Sequence, residues 1–499
     1  MCLMFFTLSS FFLRICGLEW EVKEITTKIL ARYRIRSLPC LKGDIAVKKY
    51  TRLAALSVIS TFLILAACND DSDMPMDEED MNEEEMDHSE MEHGEMNDDE
   101  HMGDEEMDHS EHGDHEDHGE HEGHGASEED REAFEEEAAE LPDSYNEGAR
   151  EGLLTTNTKN ITRLDEEDPQ TFSLMASQTI WPATHEDNQP GTVILAEADE
   201  WQHALAALTL VHHPNDGPLL LMEDGLSEEL AAEIDRLAPT GNEYGIEIMV
   251  AGELSEEDQD QLGNYTIEEI PETDPAAFAR DVEELYAETT GNLPDNVIIG
   301  SMEDEYQAYS MPAGSWISHM DESLLYVDDS IPNATAESLE AREGDANIYL
   351  LNGEDAISDE ILTDLEEFGS VEEITGENPV EQSIAFAKFQ DEHFGWGIDQ
   401  PGHGLVFAAP DQPELALAGA PLAHLGKHAP LIWLEDEVGE QHAEYLAELK
   451  PAFEEAPMEG PYNHGYILGT ETIISYESQG VLDDLLEIDA IEGDAHADH

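Results

Sequence analysis

From about residue 150 to residue 490, short apolar runs alternate with amphipathic stretches. Three runs of four or five apolar residues recur at long intervals, at 192–196, 296–300 and 404–408. Val193 to Val297 is 104 residues and Val297 to Leu405 is 108, which marks an internal repeat of about 105 residues. After each run come an acidic loop and an Ala-rich helical stretch, as at 204–208 and 415–420. A second apolar run follows at 218–222, 323–327 and 430–434, then an amphipathic stretch such as 227–237 or 439–449. The third run, at 246–250, 347–351 and 465–468, ends beside Gly252, Gly353 or Gly469. Short apolar runs that alternate with helices of 10–15 residues predict βαβ units and parallel sheets. The predicted fold class is therefore α/β, with three tandem Rossmann-like βαβ repeats at 151–290, 291–395 and 396–491.

Ahead of the repeats the pattern changes. Lys48, Lys49 and Arg52 precede an apolar run from Leu53 to Leu65, which leads into Ala66, Ala67 and Cys68. A basic start, an apolar stretch and small residues at the end describe a secretory signal over 47–67. The run is shorter than the ~20 residues a membrane-spanning helix needs. Residues 1–46 carry a second apolar patch and a basic stretch upstream of this complete signal. They read as a non-native extension, with Val47 as the expected start.

Residues 68–150 predict a disordered acidic linker rich in Met and His, with one helical stretch near its end. Between Asn69 and Gly125 there are 27 acids, nine His and eight Met, and no aromatic, Val, Ile or Leu. Such a composition cannot bury enough apolar surface to offset chain entropy. Closer to the repeats, Ser127 followed by Glu128, Glu129 and Asp130 reads as a capped helix start, with Ala133, Phe134, Ala138 and Leu141 partly in helical spacing.

Charge narrows the function. The 499 residues hold 119 acids against 20 Lys and Arg, for a formal net charge of −99. Half of the bases lie in residues 1–67, leaving 10 for the rest of the chain. Phosphate backbones would be repelled, so nucleic acid is excluded as a partner. Acidity on this scale also suits a salt-loving or alkaliphilic host, where salt screens the repulsion. The four cysteines are Cys2, Cys16, Cys40 and Cys68, so a mature chain starting at Cys68 has no disulfide or thiolate zinc site within it.

Metal chemistry is suggested instead by the linker. His109, His112, His115, His118, His121 and His124 recur every third residue, which places them on one side of an extended three-residue-per-turn chain. His88, His93 and His101, with Met86, Met91 and Met107, extend the donor set. Imidazole suits copper, zinc and nickel, and thioether adds a preference for Cu(I). Copper or zinc in the linker is the expected metal, and no cofactor is required elsewhere. Within the repeats, His212-His213 and the pair His424 and His428 lack a third donor nearby in sequence and read as surface or helix-capping residues. No nucleophile–base pair and no phosphate loop occurs there, so the chain is expected to be non-catalytic. Trp181, Trp201, Trp316, Trp396 and Trp433 read as core anchors.

Two family resemblances add to this reading. Leu65-Ala66-Ala67-Cys68 resembles the lipobox of bacterial lipoproteins, which implies cleavage between Ala67 and Cys68, lipidation of Cys68 and a place on the outer face of the cell membrane. The repeats resemble the cell wall-binding repeat 2 family of Gram-positive surface proteins. The resemblance rests on the strand and Ala-Leu-Ala helix opening at 203–206, and on Thr162-Arg163-Leu164-Asp165 with its echoes at 269–272 and 373–376. It rests also on the glycine turns with downstream Ser255, Ser358 and Ser475. The family's Asp before Ala-Leu is His203, Ala308 and Leu415 here, and its loop Arg is replaced by Asp168-Pro169, Asp274-Pro275 and Asn378-Pro379. The resemblance implies a pseudo-threefold arrangement and a monomer that binds a cell wall polymer or peptidoglycan. The alternative is a copper- or zinc-buffering surface lipoprotein in which the repeats are only a scaffold.

Overall fold

The computed structural model describes residues 127–491, apart from 147, 213–214, 224, 354–355, 425–427 and 455–456. Helix α1 (Glu128–Ala138), strand β1 (Ile161–Leu164) and helix α2 (Pro169–Ile180) come first. The first unit then runs β2 (Val193–Glu197), α3 (Trp201–Ala207), β3 (Leu219–Met222), α4 (Glu228–Leu237), β4 (Ile248–Ala251), α5 (Glu256–Gln261) and β5 (Ile267–Ile270). Helix α6 (Pro275–Thr290) leads to β6 (Asn296–Ser301), the short helices α7 (Gln307–Ser310) and α8 (Ala313–Ile317), and β7 (Ser323–Val327). That unit closes with α9 (Asn333–Glu340), β8 (Ala346–Leu351), α10 (Asp359–Leu365) and β9 (Gly369–Ile374). Helix α11 (Pro379–Lys388) opens the third: β10 (Gly404–Ala408), α12 (Pro413–Gly419), β11 (Leu431–Trp433) and α13 (Glu440–Glu448). The chain finishes with β12 (Ala452–Phe453), β13 (His464–Leu468), α14 (Tyr476–Leu485) and β14 (Asp489–Ala490).

The α/β fold predicted from the apolar runs is the one observed: three four-stranded parallel sheets ordered β3-β2-β4-β5, β7-β6-β8-β9 and β11-β10-β13-β1. Central strands are covered on both faces, so they read as continuous apolar runs. Ile194, Leu195 and Ala196 in β2, and Val297, Ile298 and Ile299 in β6, have no exposed surface. Each sheet also has a fourth strand that the apolar runs did not reveal. These are β5, β9 and β1, the stretches where the Thr162-Arg163-Leu164-Asp165 motif and its echoes lie. All three are edge strands, and β5 and β9 carry carboxylates: in β5 only Ile270 is buried while Glu268 is exposed, and in β9 only Ile374 is buried.

The third sheet takes its fourth strand from the opposite end of the chain. Strand β1 pairs with β13 from Ile161 opposite Gly465 to Leu164 opposite Leu468. Arg163 fastens it. Its buried guanidinium donates from Nε to Gln479 Oε1 (2.8 Å), from Nη1 to Gly469 O (2.8 Å) and from Nη2 to Ile474 O (2.9 Å). Burial pushes its pKa down to about 10, opposed by Asp165 and Glu471, so it stays charged at neutral pH.

The helix after each fourth strand crosses to the next sheet. Helix α2 leaves β1 and packs on β3, α6 leaves β5 and packs on β7, and α11 leaves β9 and packs on β11. The dipeptides that depart from the family motif start these helices. Asp168, Asp274 and Asn378 accept N–H bonds from Thr171, Ala277 and Glu381, and Pro169, Pro275 and Pro379 occupy the first turn. Proline lacks only a donor that would be unpaired there anyway. In two of the three junctions a serine joins helix to sheet: Leu221 N donates to Ser173 Oγ (3.1 Å) and Trp433 N to Ser383 Oγ (3.0 Å). The middle junction relies instead on a fully buried ion pair, Arg342 Nη2 to Glu283 Oε1 at 2.7 Å, between α6 and the turn after α9.

The Ala-rich helices meet at the centre. Gly314 of α8 faces Leu205 and Leu208 of the first unit and Ala420 of the third; a Cβ there would stand 2.9 Å from Leu208 Cδ1. Small residues allow this approach of one backbone to two neighbours. All five tryptophans read as anchors are buried. Trp201 Nε1 donates to Asp304 Oδ1 (3.0 Å) and Trp433 Nε1 to Ala308 O (2.7 Å), each reaching from one unit to another.

Residues 127–138, read as a capped helical stretch near the end of the acidic linker, form a helix, and it is docked on the third unit. Ser127 and Asp130 make a capping box, and α1 packs on α13. Arg131 Nη2 donates to Glu448 O (2.8 Å) and Nη1 to Lys450 O (3.2 Å), satisfying carbonyls at the end of that helix. One cation aimed at a helix carboxyl end offsets an otherwise acidic composition.

Candidate functional site

Open parallel sheets offer their carboxyl ends as binding crevices. Off the ends of β10, β11 and β13 lies a hollow of about 460 Å³ lined by Ala409, Asp411, Gln412, Glu435, Asp436 and Thr472. It carries carboxylates and no base, so a bare anion would be repelled from it.

The opposite ends of the strands carry different chemistry. The helical stretch after each first strand returns the chain to the amino ends of the sheet, and a histidine follows its last turn: His212, His319 or His424. His403 immediately precedes β10 there, and His428 precedes β11. The structure gathers these five imidazoles into one cluster spanning all three units. His212 Nδ1 lies 3.2 Å from His424 Nδ1, and His428 Nδ1 lies 3.2 Å from His403 Nδ1. His319 stands between the pairs, with its ring centroid 6.4 Å from that of His212 and 5.3 Å from that of His428.

Aromatic walls and a carboxylate hold the cluster. Trp396 stacks on His319 (5.6 Å, 11° between planes), and Trp181 stacks on His424 (6.1 Å, 28°). His424 Nε2 lies 2.9 Å from Asp216 Oδ1. Asp216 and His428 both have left-handed backbones, φ 40° and 50°, the conformation L side chains seldom adopt. The rings of His212, His319, His403 and His428 are only half-buried, so solvent reaches the cluster.

Burial disfavours the charged form of three of these imidazoles. Burial pushes His428 down to about 4, helped by the nearby His319 and His403. Burial likewise lowers His319 and His403, with His424 adding to the first. The hydrogen bond from His424 holds the Asp216 carboxyl below its usual range. Among the described residues, no three His, Cys, Asp or Glu direct their donor atoms to one point.

The sequence reading of His212, His424 and His428 as surface or capping residues is thus incomplete. His424 ends a 3₁₀ turn and His428 lies outside any helix, so the two are not a helical pair. Their neighbours come from distant segments. Asp216, His319 and His403 carried no local signal, and only the matching places of His212, His319 and His424 at the ends of equivalent helices could have joined them. Cys68, Ala67 and the linker donors, from Met86 and His88 to His124, all lie outside the described residues. His203, where the family has Asp, is a core residue packed edge-on against Phe278 at 4.5 Å. No helix among the described residues is long and apolar enough to cross a membrane.

No protein-family model matches the chain, and no curated protein matches it. Two solved structures share its fold. Cwp6 from Clostridium difficile superposes with a TM-score of 0.54 over 70% of this chain and 51% of its own, at 16% identity. Cwp8 from the same organism superposes with a TM-score of 0.50 over 66% of this chain and 52% of its own, at 17% identity. The chain spans about half the length of the proteins it matches.

Proposed function

We propose that this is a lipid-anchored, extracytoplasmic cell wall-binding protein of a Gram-positive bacterium, non-catalytic and monomeric. The observation that carries the reading is the three-sheet fold shared with Cwp6 and Cwp8, which extends over 70% and 66% of this chain. The lipobox-like Leu65-Ala66-Ala67-Cys68 supports attachment through Cys68, since two or three acyl chains hold a protein firmly to a bilayer. Acid-lined crevices favour a neutral polymer segment, or an anionic polymer bridged by divalent cations. The Met/His linker, with its six-histidine register, would hold copper or zinc close to the membrane.

Co-sedimentation with purified cell walls, with and without calcium or magnesium, tests the binding. Retention with the wall pellet is expected, strengthened by divalent ions if the polymer is anionic. Recovery in the supernatant under every condition would leave the fold without its proposed ligand. For the anchor, Cys68→Ser is expected to release the protein from the membrane fraction.

A further inference from the structure

We infer that the axial histidine cluster binds a late first-row divalent metal ion such as zinc, with His212 and His424 as chelating ligands and Asp216 as the carboxylate that orients His424. A tetrahedral zinc with Zn–N bonds of about 2.0–2.1 Å places its ligand nitrogens roughly 3.3–3.4 Å apart. The two Nδ1 atoms are 3.2 Å apart, already at that spacing. An ionised Asp216 can only accept, so the 2.9 Å contact takes an N–H from His424 Nε2, and the neutral imidazole that a metal requires then carries its lone pair on Nδ1. That leaves the Nδ1 lone pair facing His212. Carboxylate, imidazole and open lone pair in line is the outer-shell arrangement that fixes the tautomer and raises basicity of a metal ligand.

The second pair repeats the spacing. His403 and His428 also hold their Nδ1 atoms 3.2 Å apart, and His319 stands between the two pairs. In each pair a proton now satisfies the close nitrogen–nitrogen contact, and a metal ion replaces it. Water completes the coordination at the open face, or His319 does so by turning off Trp396. His212 and His424 come from the first and third units, so the ion would tie those two together, and all three units where His319 joins it. This inference does not rest on wall binding and is read without any wall polymer.

The test uses the full chain and zinc alone. Because the linker is expected to bind zinc too, the comparison is between the native chain and His212→Ala/His424→Ala, which share the same linker. The native chain should bind at least one more zinc per molecule. Zinc should also raise its melting temperature, since a ligand of the folded state alone shifts the unfolding equilibrium. The double variant should lose that shift. Should it fail to fold in chelator, Asp216→Asn keeps both imidazoles and should weaken the zinc-dependent shift on the order of 10–100-fold in zinc concentration. Equal zinc stoichiometry and equal melting shifts in native and variant chains would overturn the inference.

Discussion

The first two sheets and the third reach the same four-stranded order by different routes. Sheets β3-β2-β4-β5 and β7-β6-β8-β9 are each drawn from one continuous stretch, whereas β11-β10-β13-β1 joins residues about 300 apart. The crossing helices α2, α6 and α11 perform the same task at all three junctions, so the difference lies only in where the chain was cut. Two junctions are covalent; the third is held by a strand register and by Arg163. A closed ring of three units gains from this, because the sheet where the repeats begin and end is not left one strand short.

Removing one of the two routes should have the largest effect. Ending the chain after residue 395 deletes three strands of the third sheet and leaves β1 unpaired, along with β3 and β7 units that no longer close a ring. We expect aggregation or loss of a cooperative urea transition; a soluble, monomeric, two-state fragment would show that the units fold independently. Next in size are the buried cations at the two kinds of junction. Arg342→Leu strands Glu283 in the core and should cost about 3–5 kcal/mol in global stability. Arg163→Leu abandons three buried acceptors, at ~1–3 kcal/mol each before relaxation. Hydrogen exchange should separate them: loss of protection confined first to β1 for Arg163, and spread over the second unit for Arg342. Identical exchange patterns would mean that the closing strand opens only with the whole ring.

A pH series sharpens the picture further. His442 is buried with Nδ1 accepting from Gly439 N (3.1 Å) and Nε2 facing Trp433 O (2.8 Å), a neutral tautomer. Burial lowers its pKa against the opposing hydrogen bond to Trp433, and burial also lowers that of His203. Below about 6.5 the unfolded chain therefore takes up protons that the folded chain refuses, and stability falls as pH drops from there. Urea midpoints in chelator at pH 7.5 and 5.5 should show this loss, and His442→Gln should flatten it. The smallest effect expected is at the helix starts. Asp168→Ala, Asp274→Ala and Asn378→Ala should each cost ~1 kcal/mol, equally at covalent and non-covalent junctions. A markedly larger loss for Asp168 would mean that closure depends on α2 more than on β1.

The α/β class and nine of the strands could be read from the sequence because a strand covered on both faces must be apolar along its whole length, even where, as in β3, β7 and β11, it lies at the end of its sheet. Runs such as 296–300 therefore stand out without any knowledge of neighbours. The N-cap Ser127 was equally legible, since capping is a contact between residues three apart. The fourth strands were not, because β5 and β9 are only partly buried and admit the carboxylates of 267–270 and 369–374. Nor could the sequence say that Asp168-Pro169 and its two counterparts launch helices onto the next sheet; a cap is local, but its destination is not. The histidine cluster belongs wholly to the tertiary structure. Its members are spread from residue 212 to residue 428, and the 3.2 Å contact of His212 with His424 exists only because equivalent helical stretches of two units end side by side. Local patterns encode what a segment must bury, whereas the meeting of half-buried polar groups is set by how distant segments pack.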